Sequence, residues 1–343
     1  MSNPPEPSPL GPAGGRADLG LVPARSLTEG TASSRANLIA PAGGERTALN
    51  AKERFKLEDD GLNVRDRVES VYAFTGFAGI DPEDLRGRLR WWGLYTQRRP
   101  GIDGGGTGSL EPHELDDEFF TLRVRIDGGR LTTEQLRTIG EVSRDFARDT
   151  ADLTDRQNVQ LHWIRIDDVP EIWRRLEAVG LTTAQACGDT TRVFLGSPVA
   201  GVAADEIIDG SPAIEAIHER WVGDPAFSNL PRKFKTAISG SPLRDVAHEI
   251  NDVSFVGVRH PELGPGFDVW VGGGLSTNPM LAQRSASSPR WKRCRRSGRA
   301  SSPSSATTAI VVCATEHASS SLSPTGASRD SARCSRSSTS SVH

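Results

Sequence analysis

An α+β fold is predicted, and three observations predict it. Between Phe119 and Ile126 the apolar residues Phe120, Leu122, Val124 and Ile126 alternate with Thr121, Arg123 and Arg125, the period-2 pattern of a strand with one face in a core. A helix follows at once, with Thr132 as N-cap, Gln135 completing a capping box, Leu131 placed to staple onto Leu136, and Leu136, Ile139, Val142 and Phe146 as its buried stripe. The pair then repeats. A strand from Asn158 to Ile166 turns Val159, Leu161 and Trp163 one way and Asn158, Gln160 and His162 the other, and a helix starting after Asp167 or Asp168 buries Ile172, Leu176 and Val179. Strand, helix, strand, helix at this spacing places the helices on one face of a sheet.

Ahead of this unit, residues 1–57 are rich in Pro, Gly, Ala and Ser without apolar periodicity and are expected to be disordered. Order is expected from Val64, where Val68, Val71, Tyr72 and Phe74 give an amphipathic turn or two, and a second helix runs from Pro82 to Arg90 with Asp81 as its cap. The segment RWWGLYTQRRPGIDGGGTG joins aromatics to a glycine loop. Gly104, Gly105 and Gly106 lack the Gly-Lys-Ser/Thr sequel of a phosphate loop, so they read as a surface loop.

Beyond Gly180 the stretch ACGDTTRVFLGSP reads as a loop, and a helix opened by Ser211 and Pro212 buries Ile214, Ile217 and Trp221. Apolar strands follow at Val253 to Val258 and Phe267 to Val271, the latter ending in Gly272, Gly273 and Gly274, either an amide nest for an anion or a turn. Between them and the helix lies LPRKFKTAISG. As a strand it puts Lys233, Lys235 and Ala237 on one face and Phe234, Thr236 and Ile238 on the other. Two ammonium groups on an apolar strand either form one wall of an anion site or face water from an edge strand.

The totals set limits. In 343 residues there is room for two domains, but 36% hydrophobic content with 35 Gly and 22 Pro indicates that not all of the chain packs. No apolar run approaches the roughly 20 residues that span a bilayer, and no basic-then-apolar leader opens the chain, so it reads as soluble and cytoplasmic, without a membrane partner. The formal charge of -3 says little about partners, and no nucleic acid is expected. Cys187, Cys294, Cys313 and Cys334 show no CxxC pair or zinc-like spacing, so neither a metal site nor a disulfide framework is expected. From Ser285 to His343 the chain turns rich in Ser and Arg and loses all amphipathic period. That tail reads either as a disordered segment of the kind that binds RNA or as a stretch out of frame, and the domain assignment takes the second.

Together, RWWGLYTQR, DTADLTDRQNVQLHW, ACGDTTRVFLGSP, LPRKFKTAISG, DVAHEINDVSFVG and VGGGLSTNPMLAQR resemble the ferredoxin-dependent nitrite and sulfite reductases, from about Ala51 to Arg284. The resemblance implies a ferredoxin-like nitrite/sulfite reductase half-domain at 64–180, followed by the first part of the sirohaem-binding α/β domain at 181–284. It implies six-electron reduction of sulfite to sulfide or nitrite to ammonia at sirohaem, with electrons from ferredoxin. The family's ring of cations around the substrate matches Arg123, Arg192, Lys233 and Lys235. The stretch lining the macrocycle matches Arg156, Gln157, Asn158, Gln160 and His162, the histidine as a wall residue and not as an iron ligand. Tyr95 and Cys187 match a pair that is covalently linked in some members. The family also carries a 4Fe-4S cluster, whose Cys-x5-Cys and Cys-x3-Cys ligands lie in the second half of a longer chain; Cys294, Cys313 and Cys334 have the wrong spacing, so those ligands are absent here. An N-terminal half, truncated by a frameshift and inactive alone, is the resulting expectation. The alternative is a non-enzymatic anion-binding protein, or one that binds RNA through the Ser/Arg tail.

Overall fold

The computed structural model describes residues 56, 58–99, 101–102, 116–230, 232–243, 245–261, 264–275 and 279–284. Apart from Lys56, the expected disordered stretch lies outside the described residues, as do the Gly104–Gly106 loop and the tail with Cys294, Cys313 and Cys334.

The α+β expectation holds. A first, antiparallel sheet contains β1 (Leu94–Arg98), β2 (Asp116–Val124), β3 (Asp152–Leu153) and β4 (Val159–Ile164) in the order β1-β2-β4-β3. Two helices, α1 (Thr133–Phe146) and α2 (Val169–Ala178), contribute Ile139, Val142, Ile172, Trp173 and Leu176 to one core with Phe120, Leu122, Val124, Val159 and Leu161. The capping box at Thr132 and Gln135 is formed in both directions.

Local differences have physical causes. Trp163 does not continue the inward row of Val159 and Leu161, because a bulge with Trp163 at φ 57 shifts the register and puts Ile164 into the core opposite Phe120. Leu136 is 58% exposed, so no staple forms and the buried stripe begins one turn later, at Ile139. In the N-terminal helical run a π turn over Val68–Tyr72 widens the repeat, which lines up Val64, Val68 and Tyr72 in the core and leaves Val71 and Phe74 exposed. Strand β1 was not expected; of its five residues only Leu94 is buried, too short an apolar signal to register as alternation.

The second sheet runs β5 (Thr191–Gly196), β6 (Phe234–Ser239), β7 (Val253–His260), β8 (Gly264–Val271) and β9 (Gln283–Arg284), in chain order. Its first three strands are parallel and the last two antiparallel. Helix α3 (Ser211–Trp221) joins β5 to β6 and packs Ile214, Ile217 and Trp221 against Phe194, Phe234 and Ile238. The stretch expected as a loop is therefore the first strand of a βαβ unit, with Val193, Phe194, Leu195 and Gly196 all buried. Strand β6 is central, so the edge-strand reading of its lysines is ruled out.

Side chains from one unit grip the backbone of the other. The Arg125 guanidinium donates to Asp127 at 2.7 Å and to the carbonyls of Gln185, Thr191 and Arg192 at 3.2, 2.8 and 3.1 Å. Trp91 Nε1 donates to the carbonyl of Ser228. Lys56, only 8% exposed, donates to Leu230 O and ion-pairs with Asp189, so order begins earlier than the composition indicated.

Candidate functional site: a cationic cradle between the two sheets

Arg123 lies on β2, the strand that pairs with both β1 and β4. Before β1 the chain turns at Gly93, with φ 74 and a position where a Cβ would meet Arg123 O at 2.6 Å; only glycine allows this approach. The turn sets Tyr95 beside Arg123, whose Nη2 lies 3.4 Å from the phenol oxygen and donates to Gln160 Oε1 at 2.8 Å. His162 is committed on both ring nitrogens, to Thr121 Oγ1 at 3.3 Å and Asp152 Oδ2 at 2.9 Å, which suits a wall residue.

From the second unit come Arg192 on β5 and Lys233 and Lys235 at the start of β6. Arg192 Nη1 donates to Ala186 O at 2.8 Å, the carbonyl next to Cys187 in the chain. Arg156, in the turn before β4, crosses to the second sheet and donates to Asn251 Oδ1, Val193 O and Thr236 O at 2.6, 2.9 and 3.2 Å. Gln157 next to it pairs with the backbone of Gly196, donating at 2.9 Å and accepting at 3.1 Å. Asn158 is buried and its amide oxygen has no partner among the described residues.

These cations crowd one another. Burial first, then the Arg192 guanidinium, presses Arg156 down to about 10. Burial lowers Arg192, with Arg123 acting in the same direction. Lys233 is lowered by burial and by Arg192, and Lys235 by burial, Lys233 and Arg156. Arg156, Arg192, Lys233 and Lys235 thus lie near enough to act on one another, and Arg123 acts on Arg192. The Nε atoms of Arg123, Arg156 and Arg192 are buried without a partner among the described residues. Unmet buried donors carrying positive charge are costly to leave alone, and an anion is the kind of group that would satisfy them.

Sequence reasoning missed four residues that shape this cradle. Arg125 and Asp127 clamp the segment bearing Arg192, and Asp127 also accepts from Phe194 N at 2.7 Å and pairs with His218 Nδ1 at 2.6 Å. Asn251 holds Arg156, and Asp252 Oδ2 accepts from Lys235 N at 2.7 Å. The signal was present in the DVAHEINDVSFVG motif, but an Asn-Asp pair before a strand reads equally as a turn. The glycine run is corrected the other way. The amides of Gly272, Gly273 and Gly274 are taken by Asp252 O, Asn251 O and Met280 O, so no nest is available to an anion.

Residues 112–179 match the domain described as the nitrite/sulfite reductase ferredoxin-like half domain, and residues 187–295 match the one described as the nitrite and sulphite reductase 4Fe-4S domain. The chain belongs to the ferredoxin-dependent nitrite/sulfite reductase family. It is 61% identical over 241 residues to a protein named Sulfite reductase (ferredoxin) from Mycobacterium tuberculosis, covering 70% of this chain and 43% of the relative. It is 40% identical over 235 residues to a protein named Ferredoxin--nitrite reductase from Leptolyngbya laminosa, covering 67% of this chain and 42% of that one. The solved structure of the Mycobacterium tuberculosis NirA protein superposes with a TM-score of 0.70 at 52% identity, covering 82% of this chain and 54% of that one. The chain therefore spans less than half the length of the curated relatives it matches. The matched domain is named for an iron–sulfur cofactor, yet among the described residues no group of three or more His, Cys, Asp or Glu is placed to hold a metal. Nor is any helix among them long and apolar enough to cross a membrane.

Proposed function

We propose that this chain forms the substrate-facing and sirohaem-facing half of a ferredoxin-dependent sulfite reductase, an oxidoreductase that takes sulfite to sulfide by six electrons, or nitrite to ammonia on the same cradle. The observation that carries the reading is the set of three buried guanidinium Nε atoms, on Arg123, Arg156 and Arg192, without a partner among the described residues, with Lys233 and Lys235 close enough to Arg192 and Arg156 to be lowered by them. The relatives named sulfite reductase stand at 59–61% identity and those named nitrite reductase at 36–40%, which favours sulfite.

Arg123 and Arg192 hold the oxyanion through their guanidinium donors. Lys233 and Lys235 draw the anion in and hold protons at Nζ for the oxygens that leave as water; their lowered affinity for those protons eases the transfer. Sirohaem fits by charge. A tetrapyrrole edged with carboxylates would meet Arg156 Nε and its neighbours, and when bound it supplies the iron at which the anion is reduced. Arg156 and Gln157 serve that surface as braces, since their other donors are taken by backbone carbonyls and, for Arg156, by Asn251 as well. His162 and Asn158 complete the wall, while Tyr95 and Cys187 flank Arg123 and Arg192 respectively. Among the described residues no cluster of ligands is placed to hold a 4Fe-4S cluster. Ferredoxin as electron donor follows the relatives' names. No observation favours a non-enzymatic or RNA-binding role.

Equilibrium dialysis with radiolabelled sulfite tests the reading. The purified chain should retain sulfite saturably, and Arg192→Ala and Lys233→Ala should each retain it about tenfold more weakly. Equal retention by all three proteins, or none by the wild type, overturns it.

A further inference from the structure

The cradle is not purely positive. Asp252, at the mouth of β7, extends its carboxylate to the backbone N–H of Lys235 at 2.7 Å, while its own carbonyl accepts from Gly272 N at 3.0 Å. Both ends are held, so the carboxylate stands at a fixed place beside the opening of β6. It is half-buried and forms no direct ion pair with Lys233, Lys235 or Arg156, yet it acts through space on all three. The other carboxylates near the cluster are differently placed. Asp189 is paired with Lys56 at 2.7 Å, and Asp155 is exposed.

We infer that Asp252 is the internal counter-ion of the anion site: tethered to main chain, it offsets the cations without occupying their side-chain donors. The inference rests on the anion-site reading above. A carboxylate paired directly with a lysine would compete with the guest for the same N–H groups. Bonded instead to a backbone amide, it takes up no side-chain donor of the cradle. The groups facing Asp252 are Lys233 and Lys235 from β6 and Arg156 from the turn before β4, with Arg192 on β5 and Arg232 pressing on the lysines in turn. Removing the negative charge therefore does two opposed things. It strengthens the pull on an anion while the lysines remain charged, and it makes them lose their protons at lower pH.

The test is sulfate binding by the purified chain, measured calorimetrically from pH 7 to 11 at constant ionic strength, because sulfate stays a dianion over that range. Asp252→Asn retains an oxygen for Lys235 N and removes only the charge. It should bind sulfate several-fold more tightly at pH 7 and lose binding about one pH unit earlier than wild type. Asp167→Asn removes an equal charge from the exposed Arg165 pair and should follow the wild-type curve. An unmoved alkaline limb in Asp252→Asn, with binding intact, overturns this inference alone. No sulfate binding by the wild type overturns the site reading and this inference together. Should Asp252→Asn not fold, the Lys235 side-chain carbon resonance of the wild-type chain provides the readout. It should show a second, acidic inflection as Asp252 takes up its proton, and a single alkaline inflection overturns the inference.

Discussion

Arg123 and Gln160 sit directly opposite each other on the β2–β4 pair, and the arginine Nη2 donates to the glutamine Oε1 at 2.8 Å. The sheet register thus aims a cation whose Nε has no other partner among the described residues. Gln160→Ala frees that guanidinium. Sulfate affinity should fall about tenfold, the worth of one hydrogen bond to a charged group, while the unfolding midpoint in urea stays near wild type. A collapse of stability with unchanged affinity would assign Gln160 to folding instead.

Arg125 presents the opposite balance. Its side chain is fully buried, and Asp127, which it neutralises, is 8% exposed, with burial opposed by Arg125 and His218 so that the carboxyl stays below its ordinary range. Arg125→Met leaves that carboxylate with His218 and the Phe194 amide but without its guanidinium, and removes three carbonyl contacts across the joint. A loss of about 3–5 kcal/mol in urea unfolding is expected. A loss below about 1 kcal/mol would show that the joint is held by its apolar contacts.

Gln157 offers its amide to both polar groups of Gly196, like a short piece of added strand. In Gln157→Glu the donor becomes an oxygen facing Gly196 O. The variant should lose about 2 kcal/mol or more at pH 7 and recover part of it in acid, where the protonated carboxyl can donate again. Equal stability at pH 7 and pH 4 relative to wild type would contradict the geometry.

Asp84 is 1% exposed and accepts from Arg67, Arg88 and Tyr72. Burial pushes its carboxyl up, but those donors outweigh it and hold the group below its ordinary value of 3.8, while Tyr72 is pushed up to about 12. A carboxyl lowered on folding contributes stability above its unfolded value and loses it as pH falls through the folded one. Asp84→Asn should therefore cost about 3 kcal/mol between pH 5 and 7, and the gap to wild type should close progressively below pH 4. A gap independent of pH would mean that Asp84 acts by shape alone.

Much of the first sheet was legible because each strand and helix there has one wet and one dry side, so Phe120, Leu122 and Val124, or Ile139 and Val142, announce themselves by period. The bulge at Trp163 was not legible, since a single residue at positive φ changes facing without changing composition. Strand β5 was hidden for the reason parallel strands usually are: both faces are covered and no alternation survives. The four cations were proposed from motifs, whereas Asp252 and Arg125 needed coordinates, because what matters in them is which backbone atom they reach.

The joint between the sheets is read mostly by carbonyl oxygens: those of Gln185, Thr191, Arg192, Val193 and Thr236 accept from Arg125 or Arg156. Every amino acid brings such an oxygen. The second sheet can therefore vary at those positions without loosening its seat, while the first must keep its two arginines, so tolerance to change is lopsided across a seam whose two sides touch equally.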